Sequence, residues 1–355
     1  MNFILNILFF FISITSLLAQ NNQRNPLDYE SILSGTFGEL RTNHFHSGVD
    51  IKTKGKEGSK IYAFSEGYVS RIKISKGGYG KAIYIKHSDG KTTVYAHLKS
   101  FSKKIEKIVK TKQYLKENYE IEIFPGFNEI KISNNELIAF SGNTGGSSGP
   151  HLHFEIRDIN QKPLNPLNYG IDVQDNRSPS ILGLKIYSLY KNMEIKNSKN
   201  LTFYKKDKNS YITDTIQSIG ALGFGVQTID RQDLASNKNG VYKINTYIDN
   251  DTLISIDFNK FSFEETKHIN RYIDYPEFKR NKKRFQKLFI QKNNPLSIYK
   301  KERNQGVVSL NENSRYLITI EVIDFNQNIT KLFIPIKGTL DTDILNNDNK
   351  IKIGD

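Results

Sequence analysis

Between residues 34 and 156 the apolar positions come in short runs of strand length. Ile61 to Phe64, Tyr68 to Ile74 and Lys81 to Lys86 are such runs, alternating or continuously apolar. A period of two places alternate side chains on opposite faces of a sheet. Turn signals separate the runs: Lys76-Gly77-Gly78-Tyr79-Gly80 and Ser88-Asp89-Gly90-Lys91. Asp89-Gly90 between two such runs predicts a hairpin turn. Lys99 to Asn118 breaks the pattern, with Ile105, Ile108, Val109 and Leu115 at roughly helical spacing. This half is therefore expected to be mainly antiparallel β with one helical interruption.

Asn160 to Pro166 carries two prolines and marks the exit from this region. A second strand series begins after Arg177-Ser178-Pro179. Two segments in it resemble each other. One is Val226 to Asp230, with Ser236-Asn237 and then Gly240-Val241-Tyr242; the other is Ile320 to Asp324, with Gln327-Asn328. Each is an alternating strand, an aspartate, a polar turn with asparagine and a second strand, which predicts sandwich-type hairpins. Glu264 to Lys292 is expected to be a helical or irregular insertion between them.

Composition agrees with a β-rich chain. The 355 residues include 22 Phe and 19 Tyr, and aromatic residues favour strands. There is no cysteine, so disulfides and thiolate ligands are excluded, and any metal must sit on nitrogen and oxygen donors. Residues Phe3 to Leu18 are almost wholly apolar, followed by Ala19 and a polar stretch. We read this as a signal peptide cleaved after Ala19, although the n-region has no Lys or Arg. The alternative is an uncleaved anchor, but the run is shorter than the roughly 20 residues a spanning helix needs. Formal charge is +14. Residues 260 to 303 hold 13 Lys and Arg against 5 Asp and Glu, including Lys279-Arg280-Asn281-Lys282-Lys283-Arg284. Such a patch suits an anionic wall or membrane surface, and its competing explanation is a solvated lysine-rich face. No nucleic-acid-binding motif accompanies it, and nucleic acid is not expected as a partner.

The chemistry lies in the histidines. Six of seven precede residue 154, and five of those fall in three motifs. These are His44-Phe45-His46-Ser47-Gly48-Val49-Asp50, Tyr95-Ala96-His97-Leu98 and Gly149-Pro150-His151-Leu152-His153-Phe154-Glu155. His151 and His153 share one face of a strand while Leu152 and Phe154 face a core. Gly48 supplies a bend that can bring His46 and Asp50 together. Two imidazoles and one carboxylate leave a zinc site with an open position, suited to Lewis-acid catalysis rather than to a closed structural role. Spacing alone leaves His44 and His46 as alternatives. It also leaves open which of His151 and His153 binds metal, and leaves His97 and the other of the pair as proton carriers. His87, beside a turn, is expected to be structural and His268 to lie on the surface. No His-Glu-x-x-His helix, Gly-x-Ser-x-Gly elbow or phosphate loop occurs. Gly142 to Gly149 is expected to be a flexible approach that lets a substrate backbone come close.

These three motifs, in this order and with the glycine-rich Ser141 to Gly145 run, resemble the lysostaphin/LytM-type zinc endopeptidases. The resemblance covers roughly Gly35 to Asp158. It implies that His46, Asp50 and His153 bind one zinc ion and that His97 and His151 are the catalytic histidines. It also implies a compact antiparallel β fold with a groove, and hydrolysis of peptide bonds in peptidoglycan stems or cross-bridges. The Lys99–Ser133 insertion is longer than in minimal members, and Asn134-Asn135 stands where a glycine turn is common. The second half resembles an immunoglobulin-like β domain. The expected division is a signal peptide at 1–19, a peptidase domain at 20–172, a β-sandwich domain with a partly helical insertion at 173–340, and a polar tail at 341–355. The expected protein is exported to the periplasm or cell envelope. Two other functions fit the same motifs: a non-catalytic LytM-like module that activates another wall hydrolase, and a zinc protease acting on exported proteins.

Overall fold

The computed structural model describes residues 24–340. The apolar N-terminal segment with its cleavage site and the polar tail lie outside the described residues. Among those described, no helix is long and apolar enough to cross a membrane.

The chain is mostly β, as its alternation predicts. In the first half, seven strands follow one another across a sheet, with two short strands paired to it. Strand His151–Arg157 lies between Val49–Lys52 and Thr92–Ala96, antiparallel to both. Lys81–Lys86 and Thr92–Ala96 pair across the Asp89-Gly90 turn, as the dipeptide predicts. A three-stranded sheet of Lys60–Tyr62, Leu137–Phe140 and Ser100–Phe101 packs nearby. One core joins them, and it includes Leu152, Phe154, Ile83 and Tyr95. The helix runs Lys103–Leu115. Ile105 and Val109 are buried in that core, but Leu115 is 73% exposed. Its helical spacing therefore does not mark a buried position.

The second half holds a five-stranded and an eight-stranded sheet. Both contribute to a core containing Ile186, Phe224, Ile256, Ile320 and Ile334, so the arrangement is a sandwich. The two similar segments part company here. Arg315–Ile323 and Ile329–Gly338 form the expected hairpin in the larger sheet. Gly220–Ile229 and Lys243–Ile248 do not: the first pairs within the smaller sheet and the second within the larger. Only the isolated Asp230↔Asn239 bridge links the intervening chain. The crossing follows from burial, because Val226 and Ile244 enter the shared core from opposite sheets. Glu264 to Lys292 is the expected insertion, with helices Ile269–Tyr272 and Tyr275–Asn281 and the short strand Gln286–Lys287.

Candidate metal centre

Strand pairing assembles two of the candidate ligands. His153 lies directly opposite Asp50 on one side and Ala96 on the other. Directly opposed residues of neighbouring antiparallel strands share a face. His97 follows Ala96 immediately and has φ +58, a left-handed conformation that costs a non-glycine residue energy and recurs at functional sites. Gly48 precedes Asp50 at a bend but does not need positive φ. Its role is close approach: a Cβ there would lie 2.3 Å from the carbonyl oxygen of Phe154. Any side chain would push Val49–Lys52 off its neighbour.

The third candidate comes from the loop between the first two strands. His46 Nε2 lies 3.0 Å from Asp50 Oδ1 and 3.0 Å from His153 Nδ1, and His153 Nδ1 lies 2.8 Å from Asp50 Oδ1. All three residues are buried. The outer nitrogens fix the tautomers. His46 Nδ1–H donates to the carbonyl of Thr36 at 2.8 Å, and His153 Nε2–H donates to Glu155 Oε1 at 2.9 Å. Neutral imidazole has one donor and one acceptor nitrogen. With both rings neutral, two nitrogen lone pairs and a carboxylate oxygen converge on one point. Such a group needs a cation. Donors about 2.0–2.1 Å from a tetrahedral zinc sit about 3.3 Å apart, close to the spacing observed. The residues fit zinc, and the outer hydrogen bonds are the kind that orient metal-ligating histidines.

The electrostatics agree. Burial raises the Asp50 carboxyl, but the charge on His46 and hydrogen bonds from His151, His153 and His46 hold it well below the usual carboxylate range. Burial lowers His153, but Asp50 and Glu155 outweigh this and push it up to about 9. Without metal, a proton thus takes the cation's place. Burial, followed by the charge on His153, lowers His97 to about 4.

Sequence reasoning assigned no role to the shell behind these groups. Glu155 is fully buried, accepting from Ser47 Oγ at 2.6 Å, from the Tyr79 hydroxyl, and from Arg157 Nε at 2.6 Å. Despite burial, Arg157 and His153 hold its carboxyl far below the usual range. Burial and the Glu155 charge raise Tyr79 well above its ordinary value, so it stays a donor. Arg41 Nη2 holds the outer oxygen of Asp50 at 2.9 Å. Glu155 was legible in principle, since it lies two residues beyond His153 on the same strand face. Tyr79 was hidden in a stretch read only as a turn.

His97 and His151 face the same space. Their ring centroids are 4.8 Å apart, and His151 Nε2 is 3.5 Å from Asp50 Oδ1. Each has its other nitrogen fixed: His97 Nδ1–H donates to the carbonyl of Thr144 and His151 Nδ1–H to that of Gly149, both at 2.8 Å. His97 Nε2 is left as an acceptor, and His151 Nε2 is directed at Asp50. The groove over these groups holds about 1000 Å³ and is also lined by His44, Tyr79, Asn237, Phe263 and Thr266. The last three come from the second half, and no sequence signal marked them. His44 is exposed, with Nδ1 at 2.9 Å from the Thr42 carbonyl, outside the three-residue group. His87 bonds Glu66 and Thr93. His268 is half-buried at the end of a 3-10 turn rather than on the open surface. The glycine-rich loop is tied rather than flexible: Lys81 N donates to Thr144 Oγ1 at 3.0 Å and Gly146 N to Gly78 O at 2.7 Å. A second group, Asp175, Asp230 and Asp324, also brings its carboxylates within 4.8 Å of one another, but it offers no nitrogen donor.

Residues 44–117 match Peptidase family M23, a stretch that includes His46, Asp50 and His97. The chain is 34% identical over 151 residues to the DD-carboxypeptidase/endopeptidase Mpg of Neisseria meningitidis, covering 41% of this chain and 28% of that protein. It is 34% identical over 124 residues to the murein hydrolase activator NlpD of Salmonella typhimurium, covering 35% of this chain and 26% of that one. The chain thus spans well under half the length of these relatives. Among solved structures, the catalytic domain of lysostaphin from Staphylococcus simulans is 20% identical with a TM-score of 0.29, covering 39% of this chain and 92% of that one. A zinc-containing peptidase from Vibrio cholerae is 22% identical with a TM-score of 0.31, covering 43% and 40%. The family and curated-relative matches bear out the resemblance to the lysostaphin/LytM-type peptidases.

Proposed function

We propose, from a chain whose first half carries a Peptidase family M23 match, that this protein is a zinc-dependent endopeptidase cutting peptide bonds in peptidoglycan stems or cross-bridges. The convergence of His46 Nε2, His153 Nδ1 and Asp50 Oδ1 carries this reading, together with the His97 and His151 rings beside it, each tied by Nδ1 to a backbone carbonyl. We assign His46, Asp50 and His153 as the metal ligands and His97 and His151 as the catalytic histidines. Bound zinc supplies Lewis-acid polarisation of the scissile carbonyl and acidifies the attacking water. His97, kept neutral by burial, accepts a proton at Nε2 and returns it to the leaving amine. His151 Nε2 faces the same atoms, held by its own bond to Gly149. Glu155 and Thr36 fix the ligand rings, and Arg41 holds Asp50.

We assign residues 20–172 to the peptidase domain and 173–340 to the sandwich. The protein is exported, and Lys279 to Arg284 contacts an anionic wall or membrane surface. Muropeptide analysis of digested sacculi tests the central assignment. The expected result is new peptide ends that disappear with chelator, return with zinc, and are absent in His153→Ala. Full cleavage by His153→Ala overturns it. The second reading, an activator of another wall hydrolase, is favoured by the relative named as one. It wins if the zinc-loaded chain cuts no muropeptide yet stimulates an amidase.

A further inference from the structure

The three candidate ligands do not sit on one structural unit. Asp50 and His153 are cross-strand neighbours in the first sheet. His46 is in no strand, and the loop that carries it is buried in the core of the second half. Phe37 and Phe45 belong to that core and not to the one beneath Asp50 and His153. The Phe45 ring lies 5.8 Å from Phe258, 5.5 Å from Phe261 and 6.2 Å from Tyr272, centroid to centroid, and Phe37 stacks on Phe261 at 4.8 Å. The backbone is fastened as well. Phe45 N–H donates to Thr266 Oγ1 at 2.6 Å. The Thr36 carbonyl that orients the His46 ring belongs to a residue whose hydroxyl donates to Gly240 O and accepts from Gly240 N, both at 3.0 Å. Between them Gly38 passes so close to Phe258 that a Cβ would lie 2.6 Å from its ring.

We propose that the second half of the chain is a working part of the metal centre, with Phe45, Thr266 and Thr36 as positioning residues that set His46 against Asp50 and His153. This rests on the zinc assignment above. If the second half shifts, the loop shifts with it. The metal then keeps two ligands from the first sheet and loses the third. Zinc binding and the docking of the two halves are accordingly one linked equilibrium.

Zinc affinity of the full chain, measured by competition with a chromogenic chelator, tests this without reference to activity. Thr266→Val removes the hydroxyl that accepts from Phe45 N–H at nearly constant volume. It should weaken zinc binding about 10–100-fold, the usual scale for loss of an orienting partner. Thr266→Ser keeps the hydroxyl and should bind zinc like the wild type. Phe45→Leu, which keeps the core filled but removes the ring contacts, should shift affinity in the same direction as Thr266→Val. Leu332→Ala is the control. Leu332 is buried in the same core on strand Ile329–Gly338, with two strands between it and Asp251–Asp257. It should lower Tm while leaving zinc affinity near the wild-type value. A Thr266→Val protein that binds zinc as tightly as wild type overturns the inference alone. So does Leu332→Ala weakening zinc as much as Thr266→Val. A wild-type chain that binds no zinc overturns the functional proposal and this inference together.

Discussion

Which ring nitrogen keeps its proton decides what each histidine can do here. His46 and His153 spend one nitrogen on Thr36 and Glu155 and turn the other toward Asp50. His97 and His151 spend theirs on backbone carbonyls and turn the other into the groove. His97→Ala should therefore lower kcat by roughly 10²–10⁴ with little change in zinc affinity. Steady-state kinetics on a defined muropeptide, paired with zinc titration, separate the two effects. The raised His153 gives a second prediction. At neutral pH the metal-free site holds a proton there, since its value is about 9. Zinc must displace that proton, so apparent affinity should rise about tenfold per pH unit up to about 9 and then flatten. Calorimetry in buffers of different ionisation enthalpy should show a proton released on binding.

At the scale of elements, the site depends on how closely strands approach. Gly48 lies against the backbone of His151–Arg157 with no space for a Cβ. Gly48→Ala should force apart the pair that sets Asp50 opposite His153, costing about 1–3 kcal/mol and weakening zinc binding as well. Thermal melts with and without zinc would show a lower Tm and a smaller gain on zinc addition. Elsewhere a residue conformation substitutes for glycine: Asn135 adopts φ +61 at the turn where glycine is common, which a short polar side chain tolerates. The helix Lys103–Leu115 was legible from spacing because Ile105 and Val109 are buried on one face. Its exposed Leu115 was not, because periodicity reports a face and not which part of that face meets a partner.

Over the whole molecule, the buried Asp175, Asp230 and Asp324 shape the pH dependence of stability. Burial, then the charges of Asp324 and Asp175, pushes Asp230 up to about 8, while the Arg231 backbone and Arg177 act against this. Burial raises Asp324 to about 6, opposed by Asn328. Burial also raises Asp175, opposed by the Arg177 backbone. A raised acid binds its proton more tightly when folded, so its contribution is full below the unfolded value near 3.8 and is lost as pH rises toward 8. Stability should thus decline between about pH 4 and pH 8. Asp230→Asn should flatten that decline and be more stable than wild type at pH 8, by roughly 1–3 kcal/mol. Urea melts across this range check it; an unchanged slope in the variant rules it out.

The sequence by itself determined the β character, the turns at Asp89-Gly90 and the three histidine motifs, because alternation, dipeptide turns and residue chemistry are local properties. It also placed His151 and His153 on one strand face with Leu152 and Phe154 behind them, since a period of two needs no partner strand. It could not choose His46 over His44, because that depends on a loop held by Phe258, Phe261 and Thr266, more than two hundred residues away in the chain. It could not show that Val226 and Lys243 would lie in different sheets, because an alternating strand pattern looks the same in either. The positions of the three candidate donor atoms were decided only when two separate cores packed together, one bringing Asp50 and His153 and the other bringing His46.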